Sequence, residues 1–463
     1  MIKKVFEKTI SDYKTILIFI GILLFRISLE ITFNTFALRY YPKVYWKSGS
    51  FNFALLSWLL LCITFVPLYR IIKHKGNTFS GLTTFWIYLF AYVPSNLLSG
   101  IMFTDIGYSL TMFAMWFILL WLIGFGKQKN EKYNHKFLSF FEHKKYHNLY
   151  NTIFYLLIFV SLISVYIIIY QHNQFRFEFS FNDIYELREE SKYAFSTAEG
   201  LVLVIIPTIL IPVLLPIALK EKKYFLACIL IITQILVFMI GANKFYLIVM
   251  IVGLIIYGLY SQKIFEKSAI ILAVSILMAN MLFYIDENVF FKDVILDIGV
   301  RRMFLTPAQI SYYYYEFFQN SPYLWLCDDP LLSRLGNIGP LNGIPIADIV
   351  MFHNFGVKGT NNGTFGNAFS EFGYMCIILY PVIYALFVRV IDYFTKNLTP
   401  NMFGMISLSL ATYLVNGSIA GMQFTYVLFA CGCYIFYELS QIKERPNLEK
   451  KSIVQYGKKS RYL

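Results

Sequence analysis

Charged residues are scarce in this chain: they make up 14% of its 463 residues, against about 25% in a typical soluble domain. Hydrophobic residues reach 58%, aromatics 19%, and mean hydropathy is +0.58. A water-soluble domain of this size is excluded by that balance. Cysteine is nearly absent, with six in all. Cys62, Cys228, Cys376, Cys431 and Cys433 sit in apolar runs, which leaves Cys327 alone in a polar stretch and excludes an internal disulfide framework. Neither a CxxC nor an HExxH spacing occurs, so no protein-bound metal and no cofactor are expected. Low-complexity linkers, tandem repeats and a separate soluble domain are lacking too. Matched pairs of interrupted apolar segments, the mark of an inverted-repeat transporter, are not evident.

Acidic residues are the rarer charge, 27 against 40 basic, for a net charge of +13. Placement accounts for the excess. About twelve apolar runs of membrane-crossing length recur, at roughly 15–37, 51–69, 79–99, 106–125, 151–171, 201–219, 224–241, 243–260, 268–285, 362–388, 401–418 and 420–440. With both termini in the cytoplasm, the inside segments hold 27 of the 40 basic residues, as the positive-inside rule requires. Contact with an anionic leaflet then explains the charge, and no nucleic-acid partner is called for. The first run follows Lys3, Lys4 and Lys8 without a small-residue cleavage site, so a retained helix is expected. The fold class is an all-α integral membrane protein, read as a single polytopic domain over 1–463. Within the runs, Arg26 and Glu30 stand four residues apart, a spacing at which they can pair. Pro207, Pro212 and Pro216 bend the run that starts at Leu201.

Two polar segments remain outside. The first, 172–200, carries Arg188 and Glu186 at the start of a short helix. The second, 286–361, lies between the ninth and tenth runs and is far longer than most connections. Its aromatic run from Tyr312 to Tyr315, with Trp325, is too apolar for a disordered tail. The stretch from Asp293 to Gln319 reads as an amphipathic helix at the membrane surface. The part beyond it is rich in Gly and Pro and reads as irregular backbone.

Several short motifs in these segments resemble those of bacterial oligosaccharide repeat-unit polymerases, the O-antigen and capsular polysaccharide family. They are Arg301-Arg302-Met303-Phe304-Leu305-Thr306-Pro307 with the following Tyr run, and Asn361-Asn362-Gly363-Thr364 leading to Phe372-Gly373. Gly241-Ala242-Asn243-Lys244 and the segment from Tyr185 to Arg188 are similar as well, with Lys244 where an Arg is commoner in the family. The resemblance implies a GT-C-like bundle and an enzyme acting on undecaprenyl-pyrophosphate-linked oligosaccharides. It also implies work beside a flippase and a chain-length regulator.

Such a reaction needs cations for the leaving pyrophosphate and a base for the attacking hydroxyl. Arg188, Arg301, Arg302, Lys244 and Arg334 are the expected pyrophosphate ligands, Arg for its two-pronged fit to phosphate oxygens. The expected bases, in order, are Asp329, Glu371, Asp328 and His353. Glu371 ranks high because a carboxylate inside an apolar run is costly, His353 because imidazole titrates near neutrality. Tyr185, Tyr313, Trp325, Asn361 and Asn362 are the expected sugar contacts. An O-antigen ligase-like glycosyltransferase and a lipid-linked oligosaccharide flippase or transporter are the rival readings.

Overall fold

The computed structural model describes residues 2–125, 144–172, 195–241, 244–260, 262–285, 290–326, 346–355, 363–396 and 398–416, with Gly432, Tyr434 and Tyr437. Among them every regular element is a helix. Seven helices are long and apolar enough to cross a membrane: Thr15–Tyr40, Phe51–Lys75, Ile106–Gly124, Asn151–His172, Ala198–Lys220, Phe265–Ile285 and Thr364–Thr395. The chain is therefore a multi-pass helical membrane protein. Of the other expected spans, two correspond to the shorter apolar helices Tyr224–Ile240 and Tyr246–Leu259, and one to Pro400–Asn416. The run at 79–99 forms a continuous helix from Phe79 to Ile101 that is not among the seven. The run at 420–440 falls almost wholly outside the described residues.

The chain divides into two compact units. One comprises Met1–Gln128, Leu259–Tyr393 and Ser407–Thr425, the other Lys129–Gly258, Phe394–Ile406 and Tyr426–Leu463. In the first, helix 79–101 is buried along its whole length. Its serines, threonines and Asn96 would be poor lipid-facing residues, and each finds protein instead. Thr83 shares a hydrogen bond with Ser407 (2.8 Å) and Thr84 with Tyr384 (3.1 Å). At its start, the Ser80 amide and hydroxyl donate to the Asp392 carboxylate at 2.7 and 2.5 Å. Helix Thr15–Tyr40 lies along Phe265–Ile285, joined where Asn280 Nδ2 donates to Thr32 at 2.7 Å and Asn280 Oδ1 accepts from Thr35 at 3.0 Å. Interhelical bonds of this kind take the place of the hydrophobic drive that lipid cannot supply.

Arg26 departs from expectation. It is fully buried, and its Nη1 and Nη2 donate to Asn96 Oδ1 (2.6 Å) and Ser57 Oγ (2.8 Å), with the guanidinium 4.1 Å from the Trp58 ring centre. Among the described residues no ion pair joins it to Glu30. Neutral acceptors on facing helices spread the charge at the depth where Arg26 lies, and Glu30 is left half-exposed.

In the second unit, helix Ala198–Lys220 is opened by a capping box between Ser196 and Glu199. Glu199 Oε1 also accepts from His172 Nε2 at 3.0 Å, fastening the end of Asn151–His172 to the start of the next span. Lys223 bonds Asn151 at 3.1 Å and lies over Phe154 and Tyr155.

Candidate functional site

Six expected site residues are described with their side chains, all in the first unit: Arg301, Arg302, Tyr313, Trp325, His353 and Glu371. Asp328, Asp329, Arg334, Asn361, Asn362, Arg188 and Tyr185 lie outside the described residues. Lys244 opens helix Lys244–Leu259, and its side chain is likewise outside them.

The first assembly is built on Phe290–Leu305, a wide helical stretch with π-type bonding. Such winding is seldom more than a single turn and often accompanies function. The expected amphipathic stretch is helical, with one face packed on protein. It turns inward, and Phe304 packs 5.5 Å from both Phe25 and Phe90 in the bundle interior. Asp297 and Arg301 are 6% and 7% exposed. One Asp297 oxygen accepts from Arg301 Nε (2.5 Å), the other from Arg302 Nε (3.0 Å), and Arg301 Cζ lies over the Tyr41 ring, 3.9 Å from its centre. Burial alone would lower the Arg301 guanidinium. Its bond to Asp297 and the fields of Tyr45 and Asp297 more than reverse this, leaving it above its ordinary value. Burial, then the Asp297 hydrogen bond, holds Tyr41 up. Two cations share one carboxylate, so the cluster keeps a net positive charge.

The two arginines therefore differ. Arg301 is committed inward to Asp297 and Tyr41, whereas the Arg302 side chain is 39% exposed. Arg302 is the better placed of the two to meet an anion. Asp297 counts from sequence only as one of the loop's several carboxylates, and nothing there marks Tyr41 or Tyr45. The four-residue spacing from Asp297 to Arg301 was the available signal.

The second assembly joins helix Thr306–Gln319 to the short helix Thr364–Phe372. Their close approach needs glycine. A Cβ on Gly363, at φ +69°, would strike Ser311 Oγ, and one on Gly366 would stand 2.8 Å from Ser311 Cα. The consecutive tyrosines fill the surrounding space. Tyr312 stacks on Phe103 at 3.9 Å, and Tyr315 lies 4.6 Å from Phe369. Tyr313 is 5% exposed, and its hydroxyl accepts from Gln309 Nε2 at 3.1 Å. Burial pushes its phenol up, and Tyr312 up to about 12. In this conformation Tyr313 is packing, with its face turned to protein.

At the far end the helix breaks at Gly373, φ +54°, where the Tyr323 ring occupies the place a Cβ would take. The span then resumes as Cys376–Thr395. Glu371, 1% exposed, is the buried carboxylate expected from sequence, and its Oε2 accepts the amide of Leu326 at 2.5 Å. Trp325 and Leu326 have φ of 50° and 67°. For bulky residues that conformation costs roughly 1–2 kcal/mol each. Trp325 is 52% exposed.

His353 is exposed on Ile346–Phe355, its ring 5.5 Å from that of Phe317. That helix corrects the expectation of irregular backbone there. Ile346, Val350 and Met351 bury one face of it, which the glycines on either side in sequence had obscured.

No family model, curated protein or solved structure matches this chain.

Proposed function

We propose that the chain joins undecaprenyl-pyrophosphate-linked oligosaccharide repeat units into polysaccharide at the outer face of a bacterial plasma membrane. In this reading it has twelve spans in a GT-C-like bundle, with both termini cytoplasmic. A flippase delivers its substrates and a chain-length regulator works beside it. The observation that carries the reading is the Asp297–Arg301–Arg302 cluster. It is a net cation on a polar segment of a membrane protein, with the Arg302 side chain 39% exposed. The resemblance of the motif containing these arginines supplies the substrate class.

The chemistry asked of the chain is modest. The hydroxyl of the acceptor sugar attacks the anomeric carbon of the donor, and the bond from that carbon to the pyrophosphate oxygen breaks. The electron pair leaves with the pyrophosphate, whose charge Arg302 meets, with Arg301 behind it and Lys244, Arg188 and Arg334 as further ligands. The hydroxyl proton passes to Asp329, Asp328 or His353. One oxygen of Glu371 is held by the Leu326 amide.

One observation favours a second reading. The span Thr364–Thr395 is interrupted at Gly373, and discontinuous helices line the binding sites of many transporters. A flippase for the same lipid-linked sugars would use the same cations without making a bond.

Reconstitution with lipid-pyrophosphate repeat units and no nucleotide sugar separates the two. The polymerase reading expects a ladder of longer lipid-linked chains. Transfer of unchanged units between leaflets without a ladder supports the flippase and sinks the polymerase. Arg302→Ala should lower polymer formation about ten- to a hundredfold, the worth of a hydrogen bond between charged groups. Lys there should restore part of it, since one prong is lost.

A further inference from the structure

Three successive amides of the irregular segment after helix Thr306–Gln319 end on one helix terminus. The amides of Leu324 and Trp325 donate to the carbonyls of Ser370 and Glu371 at 2.9 and 3.0 Å. The amide of Leu326 donates to the side-chain Oε2 of Glu371. A side chain serves for the third because the main chain turns away at Gly373, where φ is +54°. The Tyr323 ring, lying over Gly373, closes the clamp from the other side.

The product of the clamp is a left-handed turn at two bulky residues, Trp325 and Leu326. Conformations of this sort persist only where their surroundings over-determine them, and they gather at ligand clamps. Trp325 stands with half its surface exposed, its ring edge-to-face with Phe372 at 6.2 Å. Tyr374, beside Gly373, is 54% exposed. An aromatic anchor at the lipid interface needs no such arrangement, because headgroups accept a Trp in many orientations. A rigid ligand rewards one fixed orientation, since the ordering is done before it binds.

We infer that Trp325 is a stacking platform for a sugar ring and that Glu371 is the positioning residue that fixes it there through the Leu326 amide. The sugar's identity as part of a lipid-linked repeat unit rests on the polymerase reading. The inference moves Glu371 from proton acceptor to support.

Substitution separates the roles. Glu371→Gln keeps a carbonyl oxygen for the Leu326 amide and should retain most of the activity with an unchanged pH profile. Glu371→Ala should raise KM roughly three- to tenfold with little change in kcat, and Trp325→Ala should do the same, as the loss of one aromatic contact predicts. A fall in kcat of about 10²–10⁴-fold in Glu371→Gln, with KM unchanged, would make Glu371 the base and overturn the positioning role. A second measurement is tryptophan fluorescence of the full-length protein, titrated with lipid-linked repeat unit and with sugar-free undecaprenyl pyrophosphate. Quenching by the sugar-bearing lipid alone, lost in Trp325→Phe, supports stacking. Equal quenching by both lipids places Trp325 against lipid and overturns it. Polymer made without any Trp325-dependent quenching defeats this inference and leaves the polymerase reading standing. Sugar-specific quenching in a protein that makes no polymer does the reverse.

Discussion

Helix 79–101 and span Ala198–Lys220 lie in different units and solve one problem in two ways. Both are deeply buried, and both carry a π-type turn just ahead of a proline: Tyr88–Tyr92 before Pro94, Ile206–Leu210 before Pro212. The wider turn accommodates the carbonyl with which the proline ring would otherwise collide. They part in chemistry. Ala198–Lys220 is among the apolar helices fit to cross a membrane by composition, and its Thr208 hydroxyl turns back to the Val204 carbonyl of its own helix. Helix 79–101 reaches outward with hydroxyls and an amide to Asp392, Ser407, Tyr384 and Arg26. Burial in a membrane protein thus does not require apolarity. Lipid is itself apolar, so a helix enclosed by protein can be the more polar one, provided its groups are paired.

Breaking the polar pairing should cost most where a charge is involved. Asn96→Leu removes the acceptor of Arg26 Nη1 at full burial. It should destabilise the first unit by about 1.5–3 kcal/mol, the scale of a hydrogen bond to a charged group, read as thermal unfolding in detergent. Adding Arg26→Met should recover part of the loss, because the orphaned charge is then gone. A double variant weaker than Asn96→Leu alone would show that Arg26 stabilises by packing.

Asp392→Ala should cost less, about 1 kcal/mol, as the loss of a helix-cap acceptor does. Protease accessibility near the start of helix 79–101 would report it. An unchanged digestion pattern and melting point would show the cap to be dispensable.

The smallest effect sharpens the contrast most directly. Thr83→Val breaks the cross-helix bond to Ser407 and should cost roughly 0.6 kcal/mol. Thr208→Val breaks a bond within its own helix, one that competes with the helix's own backbone, and should cost less than Thr83→Val. Equal effects at the two positions would mean that polar bonding does not distinguish the two helices.

The sequence alone determined that this is a helical membrane protein, because a run of apolar residues can satisfy its backbone in lipid only as a helix. It also singled out Arg301 and Arg302 as candidate phosphate ligands, Trp325 as a candidate sugar contact and Glu371 as a costly carboxylate within an apolar run. Periodicity and composition hold no information about which side chains meet across the bundle. Tertiary structure decided that Arg26 bonds Asn96 and Ser57, that the Tyr313 face is turned inward, and that Asp297 divides itself between two arginines. It gave Gly363 and Gly373 their reasons too, since positive φ and the neighbouring Ser311 and Tyr323 leave no room for a side chain. And it set Glu371 beneath Leu326. That contact joins residues 45 positions apart, and only the folding of one segment onto the other brings them within reach.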